Sequence, residues 1–321
     1  MSKAKKIWLL SAAALILIGG ILFVGGMSIM KWDFSRLSTS KYETNEYTVT
    51  EAFQSISISS IGTDIELVAT EEQTCSVLCH EQTKLTHAVS VKDGVLVIET
   101  VDTRKWYEHI GIHLGTPRIT VYLPKGAYAA LSIDSKTGDV RIPADLAFDS
   151  VSIALTTGDV ESKADVTGAL GIKTSTGSIT VSDGSVGSLT LSVSTGKVSV
   201  SRVHCDGDVA VTVSTGKTAL SQLSCKNLNT KGGTGDITLQ SVIAAEKLSV
   251  TRSTGDVRFD GCDAAELYVL TDTGDVSGSL LSDKVFLVKT DTGDIDVPKT
   301  VSGGRCEITT DTGDIKITVT Q

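Results

Sequence analysis

The sequence predicts an all-β fold: a right-handed parallel β-solenoid of 19–20-residue coils with an N-terminal β cap, preceded by one transmembrane helix. Three observations predict it. Thr-Gly recurs ten times at a nearly constant spacing, apolar residues alternate by two around each copy, and an uncharged apolar run lies near the N-terminus.

The apolar run comes first. Residues 7–30 read IWLLSAAALILIGGILFVGGMSIM, without a charge. At about 1.5 Å per residue this run crosses a hydrocarbon layer of about 30 Å. Lys3, Lys5 and Lys6 precede it, and Lys31, Asp33 and Arg36 follow. The basic N-terminus points to a cytoplasmic segment 1–6, an anchor 7–30 and a polar spacer 31–47 on the far side. A cleaved signal peptide is the rival reading. Its apolar region would be about 7–15 residues, ending in a small-x-small site. This run is longer, GGMSIMKW fits such a site poorly, and no cysteine stands nearby to carry a lipid. The net charge of −9 excludes a general nucleic-acid binder and gives no polybasic attraction to anionic lipid.

The repeat decides the fold. Its glycines are Gly138, Gly158, Gly177, Gly196, Gly216, Gly235, Gly255, Gly274, Gly293 and Gly313. Two and four residues after each, the side chains are mostly apolar, as in Val140/Ile142, Ile237/Leu239, Ile295/Val297 and Ile315/Ile317. Seven and five residues before, they are apolar again, as in Leu131/Ile133, Leu189/Leu191 and Leu267/Val269. A spacing of two is strand periodicity with one buried face. A looser third apolar position follows: Leu146, Val166, Val186, Val203, Leu223, Val242, Cys262, Leu281, Val301. A single unit cannot bury these faces, but a stack can, so residues 131–321 are expected to form a solenoid around a narrow aliphatic core. The 5% aromatic content fits that core. The glycine between two strands is expected at a corner with left-handed backbone. The threonine before it is expected to bond along the ladder or to the turn.

Residues 48–130 lack the period but alternate as strands, and are expected to cap the first coil. VSVKDGVLVIET places a hairpin turn at Asp93-Gly94, RITVYLP is a strand ended by Pro124, and GTDIELV (Gly62 to Val68) is a degenerate unit. A membrane helix, an FQSISIS strand, RITVYLP and repeated T-G-D-[VI] units together resemble the bacterial "putative adhesin" β-strand-repeat family over residues 50–321. The resemblance implies a cell-envelope protein, with adhesion as the named activity and envelope-stress loci as a second association. It brings no catalytic residue.

Candidate chemistry is sparse. The strings Ser194–Lys197, Ser214–Lys217 and Lys136-Thr137-Gly138 match penicillin-binding signatures, but that chemistry needs the serine at a helix start. The Gly216-Lys217-Thr218 string lacks the earlier glycine of a phosphate loop. His109 and His113 would share a metal only on a helix, and their segment reads as strand and loop. Trp106 and Tyr107 could stack on a sugar, lie against lipid or simply edge a loop. Cys306 and Cys262 fall at core positions. Cys205 and Cys225 share a column in consecutive coils, as stacked thiols or a disulfide. Cys75 and Cys79 on one extended strand are too far apart to bridge. One residue after the glycines stand Asp139, Asp159, Ser178, Lys197, Lys217, Asp236, Asp256, Asp275, Asp294 and Asp314, and Asp272, Asp291 and Asp311 lie two before. Calcium at Asp272, Asp275, Asp291, Asp294, Asp311 and Asp314 is the alternative to a solvated, turn-forming column. No cofactor is expected. The even steps leave no long loops for a polysaccharide-cleaving site, so the expected function is a non-catalytic, membrane-anchored surface module. The expected partners are the membrane and an extracellular ligand or envelope protein. An accessory role in envelope-stress signalling and a carbohydrate-active enzyme are the alternatives.

Overall fold

The computed structural model describes residues 3–33, 41–109 and 115–320. Helix α1 (Lys3–Ile29) opens the chain, and its stretch Lys5–Ile29 is long and apolar enough to cross a membrane. Beyond it the described chain is β-strand and turn, apart from one 3-10 turn, Trp106–His109.

Seven strands precede the repeats: β1 (Tyr42–Val49), β2 (Ser55–Gly62), β3 (Asp64–Thr70), β4 (Cys75–Gln82), β5 (Leu85–Lys92), β6 (Val95–Asp102) and β7 (Arg118–Pro124). β1 begins inside the stretch expected to be spacer. β2 runs parallel to the first repeat strand, β8 (Gly126–Thr137), pairing Ile56 with Leu131 and Ile58 with Ile133. β3 pairs Ile65 with Val140. These two strands therefore form a true first coil. Its degenerate unit is shifted by one residue: Gly62 aligns with Thr137, and the Thr63 carbonyl lies against Gly138. β6 and β7 stack on the other side of this coil, parallel to β2 and β3. β5 then pairs antiparallel with β6, β4 with β7, and β1 with β4. The β5–β6 turn has φ of 50° at Asp93 and 74° at Gly94, the left-handed pair that the Asp-Gly sequence demands. The cap is thus an outer coil sealed by antiparallel strands, which leave no parallel edge open.

From Gly126 onward the coils stack in register. Thr157 pairs with Thr137 and Thr176, Thr195 with Thr176 and Thr215, and so on to Thr273. Inward positions match the alternation: Leu131, Ile133, Val140, Ile179, Leu189, Ile237, Leu248 and Val269 are all buried. The third column is buried from Leu146 to Cys262.

The stacking order breaks at the C-terminal end. Thr273 pairs with Thr312, not Thr292, and Thr292 pairs with the far side of Thr312. In space the coils run Gly255, Gly274, Gly313, Gly293. The last coil of the chain is inserted beneath the one before it. The same inversion occurs at the other end, where β2–β3 lies beneath β6–β7. Both terminal coils are held on two edges, so neither frays as a free end. The stack therefore departs from chain order at both ends. This departure also explains two misplaced core residues: Leu281 and Val301 are exposed in the connections, while Leu280 takes the buried place. Phe286, Val288 and Val297 are only partly buried because their coil is outermost. Its free edge is blunted by Lys289, Pro298 and a two-residue strand, Ile295–Asp296.

Three residues before each glycine is a further inward position, occupied by Ser135, Leu155, Thr174, Val193, Val213, Gly232, Arg252, Thr271, Thr310 and Thr290. Arg252 is buried here, one coil on from Gly232, whose missing side chain leaves room for the guanidinium. Arg252 donates to the Val213 carbonyl at 2.8 Å and to Thr218 Oγ1 at 3.3 Å. Burial lowers its pKa, against the charge of Asp236.

Candidate functional site

The Thr-Gly-Asp corner is the most repeated feature. All ten glycines have positive φ, from 124° at Gly235 to 151° at Gly196. A Cβ at any of them would collide with the backbone of the coil beneath, which is the preceding glycine's carbonyl in most coils. The glycine therefore serves two needs: a dihedral closed to other residues, and close approach of stacked corners. The threonine contributes its carbonyl, as Thr176 O accepts from Gly158 N at 3.0 Å and Thr234 O from Gly216 N at 2.8 Å. The hydroxyl that bonds the corner belongs instead to the residue three before the glycine. Thr174 Oγ1 donates to Thr176 O at 3.1 Å, and Thr310 Oγ1 to Thr312 O at 3.2 Å. Gly216→Ala is expected to cost about 2–4 kcal/mol, combining left-handed strain with overpacking. Gly62→Ala, with nothing within 4 Å of the added carbon, should be near neutral. Urea denaturation of the two variants checks the difference.

The aspartates after the glycines bridge coils. Asp139 N donates to Asp64 Oδ1 at 3.0 Å, Asp159 N to Asp139 Oδ1 at 2.9 Å, and Ser178 N to Asp159 Oδ1 at 2.6 Å. The C-terminal column follows the inverted order. Asp275 N donates to Asp256, Asp314 N to Asp275, and Asp294 N to Asp314, at 3.0, 2.8 and 2.8 Å. Asp294 thus neighbours Asp314 and not Asp275. Where the column changes to lysine, Lys217 Nζ lies 3.4 Å from Asp236. Of the outer aspartates, Asp291 pairs with Lys289 at 2.8 Å, and Asp272 and Asp311 are exposed. One oxygen of each bridging carboxylate is committed to a backbone N–H.

The remaining candidates are scattered. Ser194 and Ser214 sit at exposed corners on strands, Lys136 is exposed on β8, and Trp106 and Tyr107 are exposed. His113 and the side chain of His109 lie outside the described residues. All six cysteines are buried with free thiols. The pairing of His204 with Ser224 leaves Cys205 and Cys225 one residue further on in adjacent coils. Burial pushes the thiols of Cys75, Cys79, Cys225 and Cys306 up to about 12. A shallow groove of about 490 Å³ on the sheet face is lined by Asp208, Asn227, Asn229, Lys231 and Lys247.

One constellation was not singled out from the sequence. Cys79 and Glu81, two apart on β4, and His87 on β5 face the cap interior, with ligand atoms within 4.8 Å of one another. His87 Nδ1 lies 2.7 Å from Glu81 Oε2, and Ser60 Oγ lies 3.3 Å from His87 Nε2. Asn45 Nδ2 donates to Glu81 Oε1 at 2.8 Å, and the Tyr47 hydroxyl to the His87 carbonyl at 3.1 Å. Burial, then the charge of Glu81, raises the Tyr47 phenol. Sulfur, imidazole and carboxylate are donor types that zinc accepts. The hydrogen bonds already occupy both carboxylate oxygens and both ring nitrogens. Serine, histidine and glutamate stand in the order of a nucleophile relay, but Ser60 is 5% exposed, which closes its hydroxyl off from solvent. The period-two alternation of CSVLCHEQ was the available signal, since it turns Glu81 inward with Cys79.

Among solved structures, the chain is similar to a "putative lipid binding protein" from Parabacteroides distasonis ATCC 8503 (17% identity, TM-score 0.48, covering 75% of this chain and 98% of that one). It is also similar to a "putative adhesin" from the same strain (16% identity, TM-score 0.43, covering 73% and 98%) and to one from Bacteroides fragilis NCTC 9343 (17% identity, TM-score 0.41, covering 87% and 97%). No curated protein matches. The family described as Toastrack DUF4097 matches residues 53–213 and 204–321, which run from β2 of the cap through every repeat, and the chain belongs to that family.

Proposed function

We propose that this is a membrane-anchored, extracytoplasmic surface protein whose solenoid serves as a non-catalytic binding or scaffolding module. The observation that carries the reading is the commitment of the repeated residues to architecture. Glycines, threonine carbonyls and aspartates hold coil to coil, and the Ser60–His87–Glu81 group is buried. The outward sheet face carries the groove lined by Asp208, Asn227, Asn229, Lys231 and Lys247. Helix α1 would place that face outside the cell.

Protease added to intact protoplasts tests the topology. Digestion of everything beyond the spacer is expected, full protection would refute the orientation, and release of the chain into the medium would favour a signal peptide. Deleting the gene and measuring adherence alongside the response to envelope antibiotics tests the role. A change confined to the antibiotic response would favour the stress-signalling alternative.

The aspartate column is proposed to be structural and solvated. Millimolar calcium should leave the thermal midpoint nearly unchanged, because a ligand that binds only the folded state would raise it. A large calcium-specific rise, lost in the double variant Asp291→Asn/Asp294→Asn, would make the corner a metal site.

A further inference from the structure

We propose that the Trp106–Tyr107 turn rests in the interfacial layer of the bilayer that holds helix α1, as a second membrane contact of the domain. The proposal depends on the anchored reading above. From Lys41 onward, Trp106 and Tyr107 are the two exposed aromatic side chains among the described residues, at 78% and 50%. No described residue of the cap covers them, yet the turn that carries them is fixed. Glu108 pairs with Lys84 Nζ and accepts from the Lys105 backbone N–H at 2.9 Å. Thr103 donates to the Lys84 carbonyl through both N and Oγ1, at 2.9 and 3.1 Å. A rigid turn that presents two uncovered aromatic rings needs an apolar surface with a wet edge. Trp and Tyr favour such a place at a membrane interface, with the ring body in the boundary and the polar tip in water.

The turn also lies where the chain arrives from the helix. Lys41 O accepts from Thr83 N at 3.1 Å, next to the Lys84 that holds the turn. On the other stem of the same loop, Gly115 lies directly against the Tyr42 ring. Lys41 and Tyr42 are thus neighbours of the aromatic turn through both stems. Eight residue steps separate Lys41 from Asp33, which follows the helix, and eight steps reach at most about 29 Å. Lys41, and with it the turn beside it, is therefore held within about 29 Å of the end of the helix. Lys105, 6.0 Å from the Tyr107 ring centroid, adds a cation at the level of lipid phosphates. Sugar stacking fits less well. The two rings meet edge to face at 82°, so they form no common platform, and Lys105 stands over Tyr107.

The protein holds three tryptophans, so Trp8→Phe/Trp32→Phe leaves Trp106 as the single reporter. The full chain would be reconstituted into phosphatidylcholine–phosphatidylglycerol vesicles, with or without brominated acyl chains. Loss of Trp106 emission in the brominated vesicles is expected, together with shielding from aqueous iodide. Carbonate-resistant flotation reports the anchor independently. Chain that floats while Trp106 stays open to iodide and indifferent to bromolipid would overturn the proposal and leave the anchor standing. Failure to float would sink both. Emission that responds to soluble cell-wall saccharide but not to bromolipid would overturn the proposal in favour of a sugar contact.

Discussion

Deleting residues 304–321 is expected to cost two coils, although it removes only one from the chain. The strand Gly304–Thr312 lies between Thr273's strand and Lys284–Thr292, and Ile315–Val319 separates Val276–Leu280 from Ile295–Asp296. Without the inserted coil, residues 284–303 lose the strands they pair with, and the Gly304, Lys284 and Asp263 contacts that seat them no longer match the edge left open. The deletion directly removes the buried side chains of Cys306, Ile308, Ile315 and Ile317. Burial of each large aliphatic one is worth about 1.5–3 kcal/mol before the entropy of ordering is charged. The partial burial of Phe286 and Val288 is then lost as well. The longer deletion of 282–321 ends the chain cleanly on the Gly274 coil, so it should be better behaved than the shorter one. Limited proteolysis and hydrogen exchange read this directly. In the 304–321 deletion, residues 284–303 should exchange and be cut as an unfolded tail. Protection of that segment would mean that it can pair directly with the Gly274 coil, so that the inserted coil is not what holds it.

The insertion has visible supports. Gly304 stands where a Cβ would strike the Ala265 carbonyl, and Gly303 has φ of 111° against Asp283. Lys284, aligned with Gly304, reaches Asp263 and Ser282 at 2.6 Å each. Burial would raise the Asp263 carboxyl, but the hydrogen bonds from Lys284 and Ser282 outweigh it and hold the carboxyl below its usual range. An ion pair across the inserted coil thus pins the outer coil to the body of the stack.

These particulars show what the sequence could carry. The period of the Thr-Gly corners and the alternation around them are local and repeated, so coil number, inward faces and corner glycines were legible. Coil order was not. All ten units present nearly the same faces, and either order buries the same columns. The choice rests on single residues such as Gly304, Lys284 and Asp263, which look like ordinary surface variation. The first coil was obscured because Gly62-Thr63 reverses the usual dipeptide. The threonine hydroxyls were assigned to the wrong column, because a carbonyl's role leaves no trace in side-chain identity. The aspartates accept their backbone N–H bonds from the adjacent coil, a donor outside the local turn that the residues around them do not reveal.

The cap interior should yield the second large effect. His87→Leu is expected to destabilise the domain by about 1–3 kcal/mol, the cost of leaving a buried polar group without its hydrogen-bond partner. Glu81 is fully buried and His87 is 3% exposed, so water does not replace the lost contact. Asn45 would remain on Oε1, but Oε2 would face the apolar side chains of the cap unpaired. A buried acceptor left without a donor carries its full desolvation cost. The partner variant Glu81→Leu should be milder, because it removes the buried carboxyl and leaves the imidazole still bonded to Ser60. Combining the two replaces a polar pair with aliphatic volume between β4 and β5. The double variant should therefore be more stable than His87→Leu alone, with Asn45 and Ser60 left to find other partners at about 1–3 kcal/mol. The interaction energy from the double-mutant cycle measures the pair itself. Single costs below about 1 kcal/mol that simply add would show that β4 and β5 are joined by their ladder and apolar packing, with the pair contributing little.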